Sequence, residues 1–404
     1  MLCGGMEHPF PQGDANAHVG GGVTPSNISV SLFASLERLS RLVDIAYCVG
    51  NTGITQPFNC VSRCKDFPTL SLVTSWNTGA LMSDSCGYIA VDHGAQQPSR
   101  GPAPVSASPH ANPAQLSSQG KGSIIIAFRG TYSIANTIVD LSTVPQEYVP
   151  YPAPDDGGSQ PPKEPGHTCN NCTVHMGFLT SWQIARRDVL PAIKPLREQY
   201  PDYTVHLVGH SLGGAVAALA ALELKVSLGW DNVVVTTFGE PRVGNDEFVG
   251  YLDSVFQLAA ADKGAQAGQQ QTYRRVTHVG DPVPLLPLRE WGYSSHAGEI
   301  FIAKSDLPPE TSDIRHCNGD YDSRCTAGSD GEAIKAAGQA IAAEQRAADV
   351  VVLEGQGLWD FPTRYKLWEL LFAHRDYFWR LGLCIPGGDP TDWGRDRYPA
   401  PDEL

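Results

Sequence analysis

The stretch "LVGHSLGGAVAA", residues 207 to 218, limits what this chain can fold into more than any other. An apolar run enters it, glycines bracket Ser211, and an alanine-rich run leaves it. G-x-S-x-G spacing suits a sharp turn from strand to helix, because the flanking glycines let the backbone fold tightly on itself and leave the serine oxygen exposed. A bare match is common. Here the context the turn requires is present: "VHLVG" as a strand before it and a long apolar helix after it. The alternative is a glycine-rich packing turn with a small polar residue in it.

The surrounding pattern fits such a turn. From residue 174 the chain alternates: "VHMGFLTSWQIARRDVLPAIKPLREQY" has helical periodicity, "YTVHLVGH" reads as a strand, "LGGAVAALAALELKVSL" as a helix and "NVVVTTFG" as a strand, and "YRRVTHVGDPVPLLP" opens as another. Strands separated by helices of this length predict an α/β fold with a mostly parallel sheet and helices on both faces. Upstream, "SLFASLERLSRLVDIAYC" sets Leu32, Leu36, Leu39, Leu42 and Val43 on one helical face. "SCGYIAVDH" and "GSIIIAFRGT" read as two strands of a hairpin, interrupted by a low-complexity insertion at 94–122. "DGEAIKAAGQAIAAEQRAADVV" reads as an alanine-rich surface helix. The expected plan is a flexible segment at 1–29, one domain at 30–390 and a tail at 391–404, without internal repeats.

Several function classes are excluded by charge and hydropathy. Lys+Arg 29 against Asp+Glu 43 gives a formal net charge of −14, which argues against nucleic acid or an anionic membrane surface as the natural partner. No apolar run reaches the roughly 20 residues of a transmembrane helix. The first residues, "MLCGGMEHPFPQGDANAHVGGG", lack the basic start and apolar core of a secretory signal. The cysteines nevertheless point outside the cell: ten are present, mostly at short spacings in polar loops, as an oxidised framework would place them. Glycosylation sequons at Asn27 and Asn171 agree.

A serine hydroxyl needs a base to take its proton and a third group to orient that base. The helix starting at Leu212 turns its N-terminal amides toward the serine, so the Leu212 N–H is one expected donor to a developing oxyanion. "IIIAFRGTYS" supplies the second at Thr131, just past a buried strand. With the triad order Ser, acid, His, the acid should close a later strand. Asp281 in "VTHVGDPVP" does; Asp253, Asp262 and Glu240 are weaker because none ends a strand-like run. For the base, His316 sits in a polar loop beside a cysteine. His296 in "YSSHAGEIF" and His374 in "LLFAHRDYFWRLGLC" are not separable by pattern.

Taken together, "AFRGTYSIANTIVDL", "VHMGFLTSW", "VGHSLGGAVAAL", "TFGEPRVGN", "RRVTHVGDPVPLLP", "HAGEIFI" and "HRDYFWRLGLC" resemble the class 3 lipase family of filamentous-fungal secreted enzymes. The motifs occur in family order over about residues 30 to 385. The resemblance implies an α/β-hydrolase fold with a lid helix over the active site, no cofactor, no metal, and ester hydrolysis through an acyl-enzyme by a secreted monomer. The substrate it implies is a triacylglycerol or other lipid ester at an oil–water surface. Phospholipase A1 or feruloyl esterase activity on the same scaffold is the alternative, and a non-catalytic binding protein a more distant one.

Site residues follow from the same likeness. Ser211 becomes the nucleophile, Asp281 the orienting acid, His374 the base, and Thr131 with Leu212 the oxyanion hole. Implied disulfides are Cys48–Cys384, Cys60–Cys64, Cys169–Cys172 and Cys317–Cys325, leaving Cys3 and Cys86. A lid at about 132–165 would carry Ile134, Ile138 and Leu141 on one face of "SIANTIVDL", with "STVPQEYVPYPAPDDGG" as its hinge and rim. Thr137 departs from the tryptophan common in the family, so lid opening and lipid affinity are expected to differ.

Overall fold

A computed structural model describes residues 28–79, 85–94, 122–131, 145–148, 169–258, 271–319, 322–326, 372–386 and 390. The lid residues Ile134, Ile138 and Leu141, the insertion between 95 and 121, Asn27, Cys3, Asp262 and the alanine-rich segment lie outside them.

Helix α1 (Val30–Ala46) starts where the Ser29 hydroxyl accepts the Leu32 amide, and its leucine stripe is buried. The chain then forms strands β1 (Leu70–Asn77), β2 (Cys86–Asp92), β3 (Ser123–Phe128), β4 (Pro145–Glu147) and β5 (Thr173–His175). Next come helix α2 (Met176–Gln199), strand β6 (Thr204–His210), helix α3 (Leu212–Leu222) and strand β7 (Val233–Phe238). Helix α4 (Asp246–Phe256), capped by Asn245, precedes strands β8 (Tyr273–His278), β9 (Glu299–Ile302) and β10 (Ile314–His316).

Eight strands make one sheet in the order β1-β2-β3-β6-β7-β8-β9-β10, while β4 pairs with β5 apart from it. Every pairing from β3 to β9 is parallel; β1, β2 and β10 add antiparallel edges. This is the α/β-hydrolase fold. Period-2 alternation divides the core in two. On β3, Ile124, Ile126 and Phe128 pack toward α2, α3 and α4, whereas Ile125 and Ala127 face α1. The second face also takes Tyr377, Phe378, Trp379 and Leu381 from the far end of the chain.

That last segment is fastened to α1 at several points. Phe378 meets Phe33 edge-on at 5.1 Å between centroids, the Trp379 indole N–H donates to Glu37, and the Gly382 amide donates to Asp44 at 2.9 Å. A disulfide joins Cys48 to Cys384 across 336 residues. Cys60 bonds Cys64, Cys169 bonds Cys172 and Cys317 bonds Cys325. Cys86 is buried, and its Sγ lies 2.9 Å from the Asn77 side-chain oxygen.

Candidate active site

Parallel strands present their C-terminal ends on one edge, where α/β proteins gather functional loops. Ser211 sits at that edge between β6 and α3. It holds φ 57° and ψ −131°, a conformation L-residues rarely adopt, and the local contacts maintain it. Its amide donates to the Phe238 carbonyl on β7 and its carbonyl accepts the Gly214 amide. A Cβ at Gly209 would run into the Gly213 carbonyl, so the turn closes only because that side chain is absent. The first-turn amides of α3, beginning with Leu212, have no acceptor within the helix and stand beside the serine.

Asp281 follows β8 in a turn begun by its own amide, which donates to the His278 carbonyl. Its carboxylate is buried, and Oδ1 accepts the Val283 amide at 2.9 Å. His374 Nδ1 lies 2.9 Å from both Asp281 oxygens, and the Tyr377 hydroxyl donates to Oδ2. An imidazole held this way at Nδ1 leaves Nε2 as its free nitrogen. His374 Nε2 and Ser211 Oγ are both buried and without a hydrogen-bond partner, so no hydrogen bond joins the two atoms. Gly239 at the end of β7 fills the gap between these groups: a Cβ there would lie 2.6 Å from Tyr377 Oη, 2.9 Å from His374 Cε1 and 3.0 Å from Asp281 Oδ2.

The histidines that sequence could not separate are separated by location. His296 is buried on the other side, where Nε2 lies 3.1 Å from Glu240 and Nδ1 2.7 Å from the Ala297 carbonyl. Glu240 is itself occupied by the hydroxyls of Thr237 and Tyr273. Asp253 caps the Ala297 amide, and His316 lies on the edge strand β10. Neither reaches Asp281.

Thr131 ends the described part of the loop after β3 and is half-buried. Gly130, just before it, packs against the serine, since a Cβ there would sit 2.8 Å from Ser211 Cβ. Two residues sequence reasoning passed over stand close by. Tyr377 lay within the quoted "HRDYF" without a role, and His210 was treated only as the variable position of G-x-S-x-G.

Of the predicted lid rim, Pro145–Glu147 is an exposed strand on β5, and Tyr148 is buried against Phe248 at 5.1 Å. Asn171 is exposed in a left-handed turn between Cys169 and Cys172. Among the described residues one group could in principle hold a metal, Glu299 with Cys317 and Cys325, but both sulfurs are used in their disulfide. No described helix is long and apolar enough to cross a membrane.

Comparison with known proteins agrees with this fold. Residues 125–291 match the family "Lipase (class 3)". A secreted mono- and diacylglycerol lipase 2 of Gibberella zeae is 61% identical over 93% of this chain and 87% of its own length. Lipase A of Sodiomyces alcalophilus is 59% identical over 92% of this chain and 86% of its own. Among solved structures, the Lip2 lipase of Yarrowia lipolytica superposes with a TM-score of 0.64 at 28% identity, covering 90% of this chain and 98% of Lip2. The chain belongs to the class 3 lipases, and so is a serine carboxylester hydrolase.

Proposed function

We propose that this protein is an extracellular acylglycerol lipase in which Ser211 attacks the ester carbonyl. His374 acts as general base and then acid, Asp281 orients the imidazole, and the Leu212 and Thr131 amides stabilise the oxyanion. The observation that carries the reading is the buried Asp281–His374 pair, held at 2.9 Å beside the strained Ser211 turn.

In the first half-reaction His374 Nε2 takes the Ser211 proton as Oγ bonds to the carbonyl carbon. Collapse of the tetrahedral intermediate breaks the ester C–O bond, and the same proton passes to the departing glyceryl oxygen. Water then repeats the sequence on the acyl-enzyme, releasing a fatty acid and restoring the serine. Oγ and Nε2 must align for the first transfer, and apo hydrolases commonly complete this contact only when substrate is bound.

A lipid surface as the site of action is supported by apolar exposure. Among the described residues Met176, Trp291 and Phe372 are exposed large apolar side chains, and Phe372 stands two positions before His374. Ile134, Ile138 and Leu141 would extend this face as a lid. Relatives named mono- and diacylglycerol lipases argue for partial glycerides as substrates beside triacylglycerols.

Ser211→Ala should lower hydrolysis of every ester to background with the fold retained by circular dichroism. Rates on triolein, diolein, monoolein, phosphatidylcholine and methyl ferulate rank the substrate classes, with acylglycerols expected first. Wild-type protein inactive on all five overturns the reading, and methyl ferulate or phosphatidylcholine ranking first replaces the substrate assignment.

A further inference from the structure

The residue before the serine does more than complete a sequence pattern. His210 ends β6 with its ring buried on the α1 face of the sheet. Its Nε2 lies 2.8 Å from the His374 carbonyl oxygen and its Nδ1 lies 2.5 Å from Tyr47 Oη. A carbonyl only accepts, so Nε2 carries the proton and Nδ1 accepts from the tyrosine hydroxyl. The two imidazoles also overlap, with centroids 4.7 Å apart and planes 31° from parallel.

Tyr47 completes the chain of contacts. Its hydroxyl packs against Gly130 in the loop that carries Thr131, where a Cβ would lie only 2.6 Å from that oxygen. Tyr47 O–H therefore donates to His210 and His210 N–H to the His374 backbone, while Gly130 rests against the Tyr47 oxygen. Three segments meet here that are far apart in sequence: the oxyanion loop, the nucleophile turn and the base loop. Burial keeps His210 neutral by pushing its pKa well below the ordinary imidazole value, and the His374 ring beside it acts in the same direction. It likewise keeps Tyr47 a phenol. Both groups hold the single protonation state the chain of bonds requires.

We infer that Tyr47 and His210 are positioning residues that set the spacing of Ser211, His374 and the Thr131 loop through two hydrogen bonds and the packing of Gly130 on the Tyr47 hydroxyl. The inference rests on the triad proposed above. The missing bond between Ser211 Oγ and His374 Nε2 gives the path its importance, because small movements of either segment decide whether that bond forms in the reacting complex.

Tyr47→Phe removes the hydroxyl, and with it the bond to His210 and the contact with Gly130, while keeping the ring. His210→Leu removes the link to His374, and His210→Gln restores an N–H near Nε2. Active sites are counted with a fluorescent alkylphosphonate, and kcat and KM are measured per site on tributyrin. Tyr47→Phe should lower kcat about tenfold with KM within twofold, and slow phosphonylation by the same factor. His210→Gln should recover most of the activity that His210→Leu loses.

A purely structural role would reduce the number of active sites and the melting temperature but leave the rate per site unchanged. That result for Tyr47→Phe, which decides alone if His210→Leu does not fold, overturns the inference. Ser211→Ala, measured in parallel, separates this failure from failure of the triad: loss of activity there with none in Tyr47→Phe sinks the positioning path alone.

Discussion

At the residue scale the site depends on side chains that are absent as much as on those present. Gly239 has φ +59° and stands against Tyr377, His374 and Asp281 at once. Gly239→Ala should therefore lower kcat at least 100-fold and cost about 2 kcal/mol or more of stability, from left-handed strain plus three forced contacts. Urea unfolding and tributyrin hydrolysis check it, and near-native values in both would contradict the packing described. The positions of Ser211 and Asp281 were legible because each closes a strand within a local pattern. His374 was not separable from His296 by such means, since the difference between them is which carboxylate each meets: Asp281 for one and Glu240 for the other. Tyr47 and His210 were equally hidden. Their bond joins positions 163 apart, and no local spacing encodes it.

At the element scale, the long helices and the parallel strands were legible because they are long enough to show a period. Strands β9 and β10, with 4 and 3 residues, were not. Strand β1 carries polar residues on its exposed side and resembles a loop in sequence. The contact of most consequence between elements is that of α1 with the segment bearing His374, held by Phe33, Glu37, Asp44 and Cys48. Replacing Cys48 and Cys384 together by serine should destabilise the fold by up to about 6 kcal/mol, as expected when a closed loop of this length is opened. Activity should disappear at lower urea than the unfolding of the sheet, because His374 departs first. Coincident loss of activity and far-UV signal at an unchanged midpoint would show that the disulfide is not what holds the segment.

At the scale of the whole molecule, acid should weaken the protein through its buried and half-buried histidines. Burial pushes down the pKa of His206, to about 4, and lowers those of His210, His278 and His316. Unfolded, each would take a proton below about 6.5 that the folded chain refuses, so their contribution is complete above that pH and declines as pH falls toward 4. Asp44 acts in the opposite sense: burial raises it to about 6, so it favours the fold below its ordinary 3.8 and loses that effect as pH rises through 6. Glu223 is also raised by burial. Four histidines against two carboxyls leave a net loss on acidification, on the order of 1 kcal/mol per pH unit. Urea midpoints at pH 7, 5 and 4 should fall in that order, and a midpoint rising toward pH 4 would refute it.

The fastening of residues 372–386 to α1 also bears on when the enzyme can act. Translation delivers His374 long after Ser211; 164 positions separate it from His210 alone. A nascent chain with its sheet already assembled still has no imidazole opposite the serine, and in a reducing compartment the bond that holds the late segment does not form. On the proposed triad, competence to cleave esters therefore arrives only once this late segment is fastened to α1.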